Sequence, residues 1–264
     1  MKTSLTEQTL ELMDEDQKKI VLTQWEKHQH ETHEVDFDVS GEKEILKGFI
    51  VGKGVWDPFL ASGMYHARYL FYNNHLFFEK KVMEIGCGTG LMDIVMAKYG
   101  AKKVIASDIS PLACQNTIDN AKKFGFEEKI KVIQGDLFEN INEKVDLIIW
   151  NIPFFPGYPP KEDTISNSMI MPPGLFERFL KDAKEYLNPN GIIMVPSFNL
   201  GGKLNDPMEV APKIGYEVRR KWTHNSIKGI QQGLLYVDEL KPTEENISTS
   251  GKKISSPSEH SDLI

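Results

Sequence analysis

The chain of 264 residues predicts an α/β fold of three layers: a doubly wound, mostly parallel seven-stranded sheet between helices (α/β/α), with a C-terminal antiparallel hairpin and an N-terminal helical and hairpin extension. Three observations carry this expectation. Apolar runs at 81–86, 103–108, 130–135, 144–150 and 190–197 alternate with helix-length segments at 90–99, 111–124, 174–187 and 206–214, which is βαβ alternation. The first run opens into three alternate glycines, Gly86, Gly88 and Gly90. Two final runs, 216–223 and 231–239, flank a polar turn with Gly229 and read as an antiparallel pair.

The remaining elements follow in order. Residues 5–33 carry apolar side chains at helical spacing (Leu10, Met13, Ile20, Leu22, Trp25) and predict one or two amphipathic helices. Runs at 34–39 and 44–51, joined through Ser40-Gly41, predict a hairpin, and an aromatic-rich helix is expected over 62–78. Between 155 and 173 lie Pro156, Gly157, Pro159, Pro160, Pro172 and Pro173, too many for a helix or a central strand. A long loop is expected there, over the functional site, with Met169, Ile170 and Met171 as an apolar wall. From Lys241 the chain is rich in Ser, Glu, Lys and Pro without periodicity, as in a disordered tail. The expected organisation is an extension (1–60), a ligand-binding domain (61–240) and a tail (241–264).

Composition bounds the function. With 40% hydrophobic and 26% charged residues the chain can bury one substantial core, so a single catalytic domain is expected. Residues 1–40 hold ten acids against four lysines, which accounts for −6 of the formal net charge of −7. No basic stripe interleaved with aromatics stands out, so a nucleic-acid substrate is disfavoured. No run reaches the roughly 18 apolar residues of a membrane span, and the acids Glu7, Glu11 and Asp14 do not suit a signal peptide. No membrane partner and a cytoplasmic location are expected. Cys87 and Cys114 are too few for a disulfide framework and read as free thiols. The oligomeric state is not legible.

The chemistry gathers where the strand-like runs end. Val82-Met83-Glu84-Ile85-Gly86-Cys87-Gly88-Thr89-Gly90 describes a strand opening into a tight turn, where glycines let the backbone come close to a ligand. A dinucleotide loop would need a third glycine at the position held by Leu91. Asp108 closes the second run and suits the two hydroxyls of a ribose. Asp136 closes the third, suited to an adenine amino group with Leu137 beside the ring. Asn151 closes the fourth, at the sheet edge where open α/β proteins bind ligands. The series points to S-adenosylmethionine (SAM).

Taken together, residues from about 80 to 240 resemble the class I SAM-dependent methyltransferases. The resemblance implies SAM held by Glu84, Gly86, Cys87, Gly88, Gly90, Asp108, Ile109, Asp136, Leu137 and Asn151, with Glu84 taking the SAM amino group. Asn151-Ile152-Pro153-Phe154 resembles the Asn-Pro-Pro-Tyr/Phe motif of methyltransferases acting on glutamine amides and base amino groups. In that motif the Asn side-chain carbonyl and the next backbone carbonyl hold the N–H groups of the acceptor, and the aromatic ring stacks on it. Ile152 departs from the motif and leaves both amide and amine nitrogen open, since an Asn-Ile-Leu variant occurs in enzymes that methylate amino groups of a ribosomal protein.

Tyr65 and His66 lie where related enzymes cover the methionine end of SAM, and His66 could take a proton from an ammonium acceptor. His28, His30 and His33 offer no pair at i, i+4 and read as solvated, so no metal is expected. The reading is a SAM-dependent methyltransferase acting on nitrogen of a small molecule, the favoured partner, or of an exposed protein side chain. Protein-amide or RNA-base methylation is the runner-up. Another SAM-using reaction, such as alkyl transfer or ring closure, stays open, as does a non-enzymatic SAM-binding regulator, against which Asn151 and Phe154 argue.

Overall fold

The computed structural model describes residues 4–225 and 233–243. The extension comprises α1 (Glu7–Leu10), α2 (Glu15–Lys27) and an antiparallel pair, β1 (His33–Asp38) and β2 (Ile45–Val51). A reciprocal cap starts α2: the Asp14 carboxylate accepts the Gln17 N–H at 2.8 Å, and the Gln17 side-chain oxygen accepts the Asp14 N–H at 3.1 Å. In the hairpin turn, the Asp38 carboxylate accepts the backbone N–H groups of Gly41 and Lys43.

The catalytic-type core follows as α3 (Gly63–Tyr72), β3 (Lys81–Ile85), α4 (Leu91–Lys98), β4 (Lys103–Asp108), α5 (Pro111–Lys123), β5 (Ile130–Gln134) and β6 (Val145–Trp150). After a short insertion come α7 (Leu175–Tyr186), β9 (Leu187–Phe198), α8 (Pro207–Val210), β10 (Tyr216–His224) and β11 (Leu235–Pro242). The insertion holds β7 (Phe155–Pro156), α6 (Thr164–Met169) and β8 (Ile170–Met171). The seven-stranded sheet runs β10-β11-β9-β6-β3-β4-β5, with the β9, β6, β3, β4 and β5 pairings parallel and the two β11 pairings antiparallel.

Alternation along the central strands builds two cores, because successive strand side chains face opposite ways. Val82, Leu147 and Ile149 enter the core shared with α3, α4 and the hairpin. Met83, Ile85, Ile148 and Trp150 enter the core beneath α7. The sheet is thus covered on both faces, as buried parallel strands require. Its order reverses between β3 and β6, since the chain winds outward through β4 and β5 and then returns to β6 on the other side of β3.

Four boundaries depart from expectation. The helix expected over 62–78 ends at Tyr72, because the Asn73 side chain donates to the Tyr69 carbonyl at 2.8 Å and closes the last turn; a 3-10 turn, Asn74–Leu76, follows. Segment 155–173 is not an irregular loop throughout: Asp163 caps α6, accepting the Ser166 N–H at 3.0 Å, and β7 pairs with β8 while most of the prolines stay outside them. The helix expected over 206–214 tightens into a 3-10 turn at Ala211–Ile214, where Pro212 lies. At the C-terminal end β11 pairs as far as Pro242, past the expected start of the tail. The remainder of that tail and the turn with Gly229 lie outside the described residues.

The extension is fixed to the core by two buried asparagines of α5. Asn120 accepts the Ile50 N–H at 2.9 Å and donates to the Ile50 and Thr89 carbonyls at 2.8 and 2.9 Å. Asn116 accepts the Gly52 N–H at 2.7 Å and donates to Ile50 at 3.0 Å. These amides cover the open edge of β2 and tie it to the turn after β3. Replacing Asn120 with Ala takes this partner from the Ile50 N–H and the Thr89 carbonyl, while Asn116 still donates to the Ile50 carbonyl, so denaturant unfolding should show a loss of about 2 kcal/mol. A loss under about 0.5 kcal/mol would mean that the hairpin docks by apolar packing alone.

Candidate active site

A cavity of about 700 Å³ opens at the carboxyl ends of β3, β4 and β6, at the point where the sheet order reverses. Its floor is the turn after β3. Gly86, Gly88 and Gly90 all have positive φ (67°, 55° and 78°), which glycine adopts without steric cost. Close packing adds a second reason at two of them: a Cβ would lie 3.3 Å from Trp150 Nε1 at Gly86 and 2.9 Å from Thr117 Cγ2 at Gly90. At Gly88 a Cβ would meet nothing within 4 Å, so the backbone there borders open space.

Asp108, at the end of β4, holds this turn. Its Oδ2 accepts the Gly88 N–H at 3.0 Å and its Oδ1 accepts the Ser110 N–H at 2.9 Å. Burial raises the Asp108 carboxyl above its ordinary range, against the pull of these backbone donors. Ile109 beside it is 63% exposed and lines the cavity, an apolar surface available to a ligand. Asp136 and Leu137 also line the cavity. Asp136 is paired with Arg178 of α7 at 2.6 Å, a partner that strand-end reasoning does not reveal. Leu137 is buried, and its carbonyl accepts the Ser107 hydroxyl at 3.1 Å.

Beyond β6, Asn151, Ile152, Pro153 and Phe154 form part of the wall. Asn151 Oδ1 is buried and receives no hydrogen bond from the described residues. Phe154 packs against Phe198 with ring centroids 5.6 Å apart. Glu84, 2% exposed, also lines the cavity, and its Oε2 has no partner. Burial raises the Glu84 carboxyl well above the carboxylate range, and neighbouring Asp93 adds to the shift. Cys87 is a buried free thiol pushed well up by burial and by the acids around it.

The cavity is walled opposite the floor by the extension and by the insertion: Ile20 and Gln24 of α2, Trp56, and Lys161, Asn167 and Met169. Asp163 joins these two segments. Its carboxylate caps α6, accepts the Trp25 indole N–H at 2.7 Å, and accepts the Ser4 and Ser166 hydroxyls. Met169 and Ile170 line the cavity as the composition of the segment suggests, whereas Met171 is wholly buried in the core beneath α7. None of these wall residues is marked by a motif.

Two expected residues fall elsewhere. Tyr65 packs on His224, ring centroids 4.5 Å apart, and His66 is 1% exposed beside Trp222; neither lines the cavity. The α3 helix turns them toward β10, and helical spacing alone did not say which face would be inward. Both His66 ring nitrogens lack partners, and burial, with a minor contribution from His224, lowers its pKa to about 3. A group that stays neutral here does not take up a proton near neutral pH. His28 is likewise not solvated: it is 1% exposed and stacks on Trp56 at 3.6 Å.

Other proteins resemble this chain in sequence and fold. The family model for ribosomal protein L11 methyltransferase (PrmA) matches residues 71–153. A protein of Methanocaldococcus jannaschii named "Putative protein N5-glutamine methyltransferase" is 32% identical over 145 residues, 53% of this chain and 72% of that protein. A release factor glutamine methyltransferase of Borreliella burgdorferi is 35% identical over 131 residues, 45% of this chain and 44% of that protein, so the chain spans under half of it. Among solved structures, a ribosomal protein L11 methylase from Lactobacillus delbrueckii subsp. bulgaricus (TM-score 0.50, 19% identity, 71% of this chain, 83% of that chain) shares the fold. So does a "putative RNA methyltransferase" from Pyrococcus horikoshii (TM-score 0.50, 19% identity, 89% and 100%). These findings overturn the expectation of a small-molecule partner with nucleic acid disfavoured: the relatives are named for protein substrates, and an enzyme titled for RNA has this fold. Net charge and enclosure describe a surface, and they did not identify the molecule that docks on it.

The buried, unpartnered His66 generates a test. Its folded-state pKa lies below the unfolded value, so its contribution to stability is present above about pH 6.5 and is lost as pH falls, by up to about 1.4 kcal/mol per pH unit. His66→Leu should keep neutral-pH stability at or above wild type and reduce the acid loss between about pH 6.5 and 4.5. Denaturant titrations across pH measure this, and an identical pH slope in the two proteins would contradict a neutral buried His66.

Proposed function

We propose that this chain, which belongs to the class I SAM-dependent methyltransferases, methylates a nitrogen of a protein side chain, with a planar amide of the glutamine type as the acceptor. The observation that carries this is Asn151 Oδ1: a buried acceptor without a donor, in the cavity wall at the end of β6. A buried carbonyl left unsatisfied is costly, and an acceptor N–H removes that cost. The names of the relatives in Methanocaldococcus jannaschii and Borreliella burgdorferi support the amide. So does the position of His66, because an amide needs no base to remove a proton before it reacts, whereas an ammonium does.

Three observations support SAM in the cavity: open space over Gly88, the Asp108 carboxylate beside it, and the partnerless Glu84 oxygen on the same floor. In this reading Asp108, whose oxygens can each accept a second hydrogen bond, takes the ribose hydroxyls. Ile109 and Leu137 flank the adenine, Asp136 takes its amino group, and Glu84 takes the α-ammonium. SAM supplies an electrophilic methyl group on a positively charged sulfur. Asn151 Oδ1 and the Ile152 carbonyl hold the two acceptor N–H groups, which turns the nitrogen lone pair toward that methyl, and Phe154 stacks on the amide plane. Nitrogen forms the new bond to carbon as the carbon–sulfur electrons return to sulfur, and the surplus N–H proton leaves to solvent.

Labelled methyl transfer from SAM into cell extract tests the acceptor. The label should be lost on protease treatment, survive ribonuclease, and be released as methylamine on acid hydrolysis; label sensitive to ribonuclease would sink the protein assignment. Asp108→Ala should weaken SAM binding by about 2 to 3 kcal/mol, roughly 30- to 150-fold, by calorimetry. Asn151→Ala should leave SAM affinity within a few fold and lower kcat by roughly two orders of magnitude. Near wild-type turnover in that variant would point to an acceptor that Asn151 does not touch.

A further inference from the structure

We propose that Asp93 and Glu84 share one proton before the cofactor binds and give it up when an α-ammonium group docks on Glu84, so that Asp93, a positioning residue, makes cofactor affinity depend on pH. This rests on the SAM reading above and adds a residue that none of the motifs assigns. Asp93 lies in the first turn of α4, between Met92 and Ile94 in a helix that is otherwise buried and apolar up to its last residue. It is 0% exposed, and neither of its carboxylate oxygens meets a hydrogen-bond donor. Glu84, on β3, presents an equally partnerless Oε2.

Two buried carboxylates side by side repel and lack solvation, and a proton placed between them relieves both penalties. The Asp93 backbone N–H gives the Glu84 carboxylate partial relief, which does not offset burial. The charges that act on this pair are acids: each other, and Asp108 at the end of β4. Cys87 in the turn stays a neutral thiol. Among the described residues no Lys, Arg or His is a leading influence on either group. Burial moves both carboxyls up, Asp93 to about 7, so the pair still holds a proton as pH approaches neutrality. A cation delivered to Glu84 from the cavity supplies the missing counter-charge. The O–H bond of the pair then breaks, the proton passes to buffer, and the carboxylates keep the electrons.

Adenosylhomocysteine isolates this step, since it keeps the α-ammonium and carries no transferable methyl. Calorimetry at pH 6 in buffers of different ionisation enthalpy should show release approaching one proton per ligand bound, falling to about half as pH reaches 7. Affinity should rise by up to about tenfold per pH unit between roughly pH 5.5 and 6.5 and level off above about pH 7. Asp93→Asn, which keeps the shape and removes the second acid, should release clearly less proton and show a shallower pH dependence than wild type, since burial still acts on Glu84. A second readout needs no variant: because both carboxyls are raised on folding, the free wild-type protein should lose thermal stability as pH rises from about 5 to 7.5. Bound adenosylhomocysteine should remove that loss. Binding with no proton release, or release unchanged in Asp93→Asn, overturns the shared proton while the SAM reading stands. Failure of the wild type to bind either SAM or adenosylhomocysteine overturns both.

Discussion

One carboxylate, that of Asp108, organises the end of the sheet. Its two oxygens hold the backbone N–H of Gly88 and of Ser110, while its carbonyl accepts the Gly135 N–H at 3.0 Å. A single residue therefore joins the turn after β3, the start of α5 and the loop after β5. The Cys87 N–H, bonded to the Ser107 carbonyl at 3.0 Å, adds a second tie between the same strands. Everything proposed for the floor of the cavity depends on these turns keeping their spacing. The positive φ values of the glycines are the conformational side of the same constraint.

The charges around that floor have one sign. Glu84, Asp93 and Asp108 come from three different elements and converge without a basic partner, in a domain whose other acids are mostly paired or solvated. Structural carboxylates elsewhere in the molecule behave differently. Asp238, fully buried, is held by Arg220 at 2.8 Å, and Glu143 is held by Lys103 at 2.7 Å. The contrast separates acids that serve the fold from acids whose counter-charge must come from a ligand.

Much of this architecture was legible because it rests on local rules. Buried parallel strands read as continuous apolar runs, and the turn after β3 needs glycine at each of three positions, so both leave a mark in the sequence. Helix ends were less legible: α3 stops where the Asn73 amide caps it, and the prolines of 155–173 hid a helix that Asp163 starts. Orientation was the main loss. Periodicity marks a face of α3 as buried without saying what it is buried against, so Tyr65 and His66 were assigned to a cavity they do not line. Arg178, Gln24 and Trp56 meet the site only through tertiary packing. Asp93 did carry a signal, a lone acid inside an apolar helical stretch, although charge at a helix start reads first as a response to the helix dipole.

The wall of the cavity bears on how the molecule can be divided. Leu5, Leu10, Met13, Val21 and Trp25 form one apolar cluster with Phe155, Ile165, Met169, Ile170, Phe198 and Leu235. Five of these residues come from the first 25 positions and six from segments that follow β6. Cutting the extension away would bare a continuous oily surface beside the reaction chamber, with the cost in solubility that such patches carry. The amino-terminal segment is thus less an appendage than the missing side of the vessel, and mutational drift in either half is answerable to the other.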